Sequence, residues 1–232
     1  MTELLELSHV TKKYKNKVAL DDVSITFKKG KIYGILGHNG AGKTTLIKLI
    51  NDLLTPTSGE IFINGECPGV ASKLAISYLP ERTYLDKQMT VDEVITFFKD
   101  FYSNFDEKKA RKLLKDLKLN PADKISKMSK GMQEKVQIAL VMSRRADLYI
   151  LDEPLGGVDP ATRDYILKTI LTNFDNNASM IISTHMIADI ERILDEVIFI
   201  ADGKVALSGS ADYLRRKHSA SIDEIFRKTF KF

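Results

Sequence analysis

The sequence predicts an α/β fold with short alternating strands near its N-terminus and a helical block inserted in its middle. Three observations lead there. Short alternating strand patterns precede residue 30, a compact apolar run enters a glycine-rich loop, and strands alternate with helices again after residue 146, beyond a helical stretch. A chain of 232 residues suits one domain with a sizeable insertion and can bury a core without disulfides or structural metals.

Taken in order, Leu4 to Val10 and Ala19 to Phe27 read as strands, the second closing on the turn Lys28-Lys29-Gly30. Ile32 to Leu36 is apolar throughout and flanked by glycines, as a buried strand would be. A helix is predicted to open within Gly42-Lys43-Thr44-Thr45 and to run to Leu53 or Leu54, where Thr55-Pro56 stops it. Glu60 to Ile63 is a further strand, followed by an Asn64-Gly65 turn. From about Thr90 to Leu119 the pattern is helical, and Thr90 with Glu93 forms a capping box. Within it, the lysines of 108–118 alternate with Leu113, Leu114, Leu117 and Leu119; this is the solvated face of an amphipathic helix, with a binding patch as the alternative. Strands return at Leu148 to Leu151, Met180 to Ser183 and Val197 to Ile200. In the tail, Ile222, Ile225, Phe226 and Phe230 recur at helical spacing, so the segment from Ser221 to Phe232 is expected to pack on the core or on a partner.

Composition narrows the function classes. Hydrophobic residues are 44% and charged residues 28% of the chain, an ordinary globular balance, and a net charge of +4 without clustering gives no reason to expect a nucleic-acid partner. Cys67 is the single cysteine, so no internal disulfide can form and a reducing compartment is expected. No signal-peptide pattern is expected at the N-terminus, and no apolar run approaches the roughly 20 residues a membrane span requires.

The segment Gly37-His38-Asn39-Gly40-Ala41-Gly42-Lys43-Thr44, continued by Thr45, fits the phosphate-loop pattern G-x-x-x-x-G-K-[ST]. Glycines let backbone N–H groups converge on phosphate oxygens, and the helix behind adds its positive end. Lys43 is the expected point charge for the β- and γ-phosphates of ATP, and Thr44 the expected hydroxyl for Mg²⁺. A plain glycine-rich turn is the alternative, but a strand before the loop and a helix after it are the context the motif needs. Leu148-Tyr149-Ile150-Leu151-Asp152-Glu153 is a hydrophobic strand ending in two carboxylates. Asp152 is then a candidate Mg²⁺ ligand and Glu153 the group that orients or deprotonates the attacking water. Asp-Glu before a proline also suits a helix start; the phosphate loop in the same chain favours hydrolysis.

Further segments, in order and spacing, resemble the ATP-binding cassette (ABC) family over nearly the whole chain. Met128-Ser129-Lys130-Gly131-Met132-Gln133 is similar to the family signature, Gly156-Gly157-Val158-Asp159 to its D-loop, Ser183-Thr184-His185 to its switch histidine, and Tyr78-Leu79-Pro80-Glu81 to its Q-loop. Tyr14 stands where the family stacks an aromatic ring on adenine. The resemblance implies a phosphate-loop NTPase (RecA-like) core, 1–85 and 145–232, carrying the antiparallel β subdomain and a helical subdomain of about 86–144. It implies ATP and Mg²⁺ as ligands, Glu81 facing the metal or the water, and His185 sensing the γ-phosphate. Ser129, Gly131 and Asp159 would serve nucleotide held by a second ATPase subunit, identical or related. It also implies a separate transmembrane permease and a cytoplasmic protein peripheral to the inner membrane face. A soluble cassette acting on ribosomes or DNA, and a phosphate-loop kinase, are the competing classes.

Two places depart from the family pattern. Glu81 replaces the usual glutamine, which removes an amide donor and adds negative charge. Lys130 and Met132 replace one of the signature's two glycines and its glutamine, with solvent favoured over phosphate as the surroundings of Lys130. The Q-loop, signature and post-strand segments resemble an exporter-like subgroup of Gram-positive bacteria that includes YtrB-like ATPases and phenol-soluble modulin exporters. Export of a drug, antimicrobial peptide or peptide toxin is the expectation that follows.

Overall fold

The alternating segments at the start of the chain form two long strands, β1 (Glu3–Tyr14) and β2 (Lys17–Lys28), joined by a tight hairpin. Both outrun their apolar patterns because bulges absorb the mismatch: His9 and Asp22 take φ of 52° and 54° beside register shifts, and His9 Nδ1 meets Asp22 Oδ1 at 2.8 Å. With β4 (Ser58–Ile63) they make an antiparallel sheet of order β2–β1–β4, whose inner face buries Leu5, Leu7, Leu20 and Phe27.

This computed structural model describes residues 3–156, 158–175 and 177–230. Contacts divide the chain into two units, one made by the segments before Leu74 and after Asp175, the other by Leu74–Asp175.

In the first unit, β3 (Ile32–Leu36) lies between β7 (Ser179–Thr184) and β8 (Glu196–Ala201) and runs parallel to both, while β9 (Lys204–Ser210) pairs antiparallel with β8. The strands β3 and β7 are buried nearly throughout, which is why β3 and the centre of β7, Met180 to Ile182, read as apolar runs. The helix after the phosphate loop, α1, spans Lys43–Ile50, three or four residues shorter than its sequence pattern. Asp52 adopts φ 54°, Asp52 N–H donates to Leu49 O at 3.1 Å, and Leu53 N–H donates to Lys48 O at 2.8 Å. That is a Schellman closure, which ends the helix before the proline is reached. A single turn, α7 (Ile187–Ile190), follows β7, and α8 (Ala211–His218) follows β9. Helix α9 (Ile222–Phe230) buries Ile222, Ile225 and Phe226, and Phe226 and Phe230 pack their rings against Phe199 of β8, so the tail docks on its own unit.

In the second unit, β5 (Ile76–Leu79), entered from the short helix α2 (Val70–Ala75), pairs in parallel with β6 (Leu148–Asp152), Leu79 beside Leu151. Between them come α3 (Val91–Phe101), α4 (Glu107–Asp116) and α5 (Lys130–Met142), and α6 (Pro160–Asn173) follows. The capping box at Thr90 and Glu93 forms as expected: Glu93 N–H donates to the Thr90 hydroxyl and Thr90 N–H to the Glu93 carboxylate. Leu113 and Leu114 are buried while Lys108, Lys112 and Lys115 face solvent and Lys109, half-buried, donates to Asn173 O at 2.9 Å; Lys118 at φ 56° ends that helix with a second Schellman closure. Arg144 is buried beneath the Tyr102 ring, its guanidinium 3.8 Å from the centroid, and donates to Ile76 O at 2.7 Å and Leu74 O at 3.2 Å. It supplies a donor to Ile76 O and shares Leu74 O, at the entry to β5, with the Asn104 amide, which donates there at 2.8 Å. Among the described residues no helix is long and apolar enough to cross a membrane.

Candidate functional site

In the first unit, the chain leaves β3 at Gly37 and enters α1 at Lys43, and the loop between them has the form an anion requires. Gly40 and Gly42 have φ of 82° and 117°, conformations that turn successive amides inward. A Cβ on Gly42 would lie 2.7 Å from Ala19 O and 2.9 Å from Leu20 Cδ2, so strand β2 backs directly onto the loop. The turn at Asp202-Gly203 braces it from the other side: Gly203 N–H donates to Ala41 O at 3.0 Å, and Asp21 N–H to Gly203 O at 2.9 Å. Neither brace is visible in the motif itself.

Lys43 is buried, and its ammonium donates to Gly37 O at 2.7 Å and to His38 O at 3.3 Å, spanning the loop mouth. No side chain caps the start of α1, because Gly42 holds the cap position. A helix start without a side-chain cap is the arrangement an anion-binding loop uses. His38 turns aside, its Nδ1 2.9 Å from Asn39 O, and Thr44 and Thr45 occupy the first helical turn. The register of β3 with β7 sets Leu36 beside Thr184, so Gly37 and His185 leave the sheet side by side, with His185 exposed. Tyr14 ends β1 in the same unit, half exposed, with Lys12 Nζ 5.4 Å from its ring centroid.

In the second unit, the parallel register brings the ends of β5 and β6 together, so Pro80-Glu81 and Asp152-Glu153 emerge adjacently. Asp152 is buried at the end of a wholly buried strand, and Glu81 is exposed. Glu153 is half-buried with φ 50°, a left-handed conformation that costs a non-glycine residue about 1–2 kcal/mol. Such strain persists where surrounding structure imposes it, and it re-aims the Glu153 side chain relative to the strand. Glu153 O accepts from Gly156 N–H at 3.0 Å, so a turn follows the two acids rather than the helix start their composition also suits.

Tyr78 enters the sequence pattern only as the first residue of the Q-loop-like segment, yet it belongs with this group. Its partner in register is Ile150, two residues before Asp152 and therefore on the same face. Burial raises the phenol's pKa, and the charges of Asp152 and Glu81 raise it further. The hydroxyl thus stays a donor beside carboxylates that can only accept.

Ser129 caps α5, its hydroxyl accepting from Met132 N–H at 3.3 Å. Gly131 follows in open surroundings, where an added Cβ would meet no atom nearer than 3.9 Å. Gln133 pins the loop before the helix by donating to Ile125 O and Met128 O, both at 3.1 Å. Lys130 extends to solvent and lies 3.6 Å from Glu134. Asp159 caps α6, accepting from Thr162 N–H at 3.0 Å and from the Thr162 hydroxyl at 2.6 Å. Gly157, part of the D-loop-like segment, lies outside the described residues.

The fit to ATP rests on the loop: inward-turning glycines, an uncapped helix start and a buried ammonium all favour phosphate. Thr44 in the first unit and Asp152 in the second each carry a hard oxygen donor, the kind Mg²⁺ takes. Among the described residues no three His, Cys, Asp or Glu side chains converge as a metal cage.

Comparison with known proteins agrees with this geometry. The profile of the ABC transporter family matches residues 20–156. The ABC transporter ATP-binding protein YtrB of Bacillus subtilis is 29% identical over 93% of this chain and 75% of its own length. A solved ATP-binding subunit of an ABC transporter superposes with a TM-score of 0.87 at 30% identity, covering 98% of this chain and 99% of that one. The dimeric structure of MJ0796, a bacterial ABC transporter cassette, gives a TM-score of 0.79 at 25% identity over 89% of this chain and 98% of its own.

Proposed function

The chain belongs to the ABC transporter family as an ATP-binding, ATP-hydrolysing subunit, and from that premise we propose that two such subunits close head to tail on ATP to drive export through a separate membrane permease. The phosphate loop is the observation that carries this reading, because Lys43 and the uncapped start of α1 supply only one side of a phosphate site. The capped, exposed start of α5 at Ser129 and Gly131 is a second anion-seeking helix end. In the proposed assembly it meets the γ-phosphate held by the opposing subunit; the dimeric MJ0796 cassette supports such pairing on family grounds. The second copy is identical or a related ATPase.

Within each site, Tyr14 stacks on adenine, Gly37 to Thr45 surround the phosphates, and Lys43 moves its ammonium from loop carbonyls to phosphate oxygens. Glu153 orients the attacking water and accepts its proton; His185 donates to the γ-phosphate, and Glu81 and Tyr78 hold the water shell beside Asp152. Thr44 and Asp152 are the residues that would hold Mg²⁺, whose positive charge would offset that of the nucleotide phosphates. Hydrolysis removes the phosphate bridge and the pair reopens. The protein would sit on the cytoplasmic face of the membrane, reached through its permease. Exposed Tyr84, Phe97 and Phe101 on and beside α3, with Phe97 and Phe101 stacked 5.9 Å apart, provide an apolar surface in the helical segment for that partner. Family membership is compatible with import as well as export; the exporter reading rests on the likeness of the Q-loop, signature and post-strand segments to exporter ATPases.

Sizing chromatography with Mg·ATP tests the assembly. Glu153→Gln is expected to elute as an ATP-dependent dimer and to lose about 10²–10⁴-fold in turnover; a monomer at saturating ATP would refute head-to-tail closure. Co-purification from detergent extracts identifies the permease.

A further inference from the structure

Lys130 stands at the first position of α5, where the resembling signature has the glycine that follows its serine, and its side chain is 69% exposed. Local helix physics disfavours a cation there. It faces the positive end of the helix, and Lys four residues before Glu is the weaker orientation of such a pair. The distance of 3.6 Å from Lys130 Nζ to Glu134 Oε1 is long for a charge-assisted hydrogen bond, which spans about 2.7–2.9 Å. Glu134 is in the opposite situation. Its side chain is only 17% exposed, and its Oε2 is buried without a hydrogen-bond partner. Burial raises its pKa, and the charge of Lys130 opposes that rise. Glu134 thus depends on Lys130 more than Lys130 depends on Glu134, since an exposed ammonium is well solvated without it.

We propose that Lys130 is a transferable cation, parked on Glu134 in the separate subunit and delivered to the γ-phosphate of the opposing subunit's ATP when the pair closes. This rests on the head-to-tail arrangement proposed above. The terminal phosphate carries more negative charge than one carboxylate, and the four-carbon stem of Lys130 can pivot while Ser129 and Gln133 hold the backbone in place. The glycine-to-lysine departure then adds a charge to the signature while Gly131 preserves close backbone approach. Glu134, left without its counter-charge in the closed pair, works against closure.

The test measures the ATP-driven dimer dissociation constant in a Glu153→Gln background, by analytical ultracentrifugation with Mg·ATP at low and high salt. Lys130→Met is expected to weaken the dimer about tenfold and to flatten its salt dependence. Glu134→Gln is expected to tighten it several-fold, and the Lys130→Met/Glu134→Gln pair to match Lys130→Met alone. Lys130 is exposed, so an unchanged thermal midpoint verifies that its variant is folded. A dimer constant within twofold of the parent for both single variants overturns the assignment while leaving the sandwich intact. A parent that stays monomeric with Mg·ATP overturns the sandwich and the role of Lys130 with it.

Discussion

Gly40 and Gly42 lie two residues apart in the phosphate loop, yet alanine should affect them very differently. At Gly40, φ is 82° and an added Cβ meets nothing within 4 Å, so Gly40→Ala carries only the cost of a left-handed residue, about 1–2 kcal/mol. At Gly42, φ is 117° and the Cβ would meet Ala19 O at 2.7 Å and Leu20 Cδ2 at 2.9 Å. Backbone strain of about 1–3 kcal/mol then combines with a further 1–3 kcal/mol or so for overpacking against β2, which cannot yield without disturbing the sheet. For a protein of this size each kcal/mol lowers the thermal midpoint by roughly 2–4 °C. Gly40→Ala should lose a few degrees, and Gly42→Ala several degrees more. Calorimetric melts measure the midpoints, and titration with a fluorescent ATP analogue measures affinity, which Gly42→Ala should weaken at least about tenfold because the loop must move. Equal midpoints for the two variants, or parental ATP affinity in Gly42→Ala, would show that β2 does not constrain the loop.

Other substitutions examine the second unit. Arg144→Met removes the guanidinium donor to Ile76 O and leaves Leu74 O to the Asn104 amide alone, and should cost about 1–3 kcal/mol in urea unfolding, whereas a loss below about 0.5 kcal/mol would mean water replaces the guanidinium. Glu81→Gln should retain ATPase activity with a shifted Mg²⁺ and pH dependence; identical profiles would remove any special role for the carboxylate. Tyr33, Tyr78 and Tyr149 have folded pKa values raised by burial, so the unfolded chain releases those protons first and stability should fall as pH rises above about 10. Lys109, lowered by burial, contributes the opposite slope near its own ordinary value. Tyr78→Phe should flatten the alkaline loss of stability in urea midpoints; an unaltered slope would count against burial as the cause.

The parts of the site legible in the sequence are those whose chemistry is local. Gly37 to Thr45 declare a phosphate loop because the glycines, the lysine and the helix start fall within a few residues of one another. Thr90 with Glu93, and Ser129 before α5, are readable as caps for the same reason, since a cap joins groups three residues apart. Helix ends are less legible. The sequence points to Thr55-Pro56 as the stop for α1, but Asp52 enters the left-handed region first, and aspartate announces that choice less plainly than glycine or proline would. The composition of the signature-like segment turns Lys130 towards solvent; the structure keeps it exposed and adds a largely buried carboxylate beside it.

From sequence alone come the phosphate-loop residues, the acidic end of β6, the capped start of α5 and the α/β class, because spacing along the chain carries each of them. Tertiary structure decides why Gly42 must be glycine, which depends on Ala19 and Leu20 of the hairpin strand β2, and why Gly203 matters to Ala41. Strand register places His185 beside Gly37, and Tyr78 on the face of Asp152. These pairings join residues tens to more than a hundred positions apart, and only the packing of strands into sheets brings them within a few ångströms.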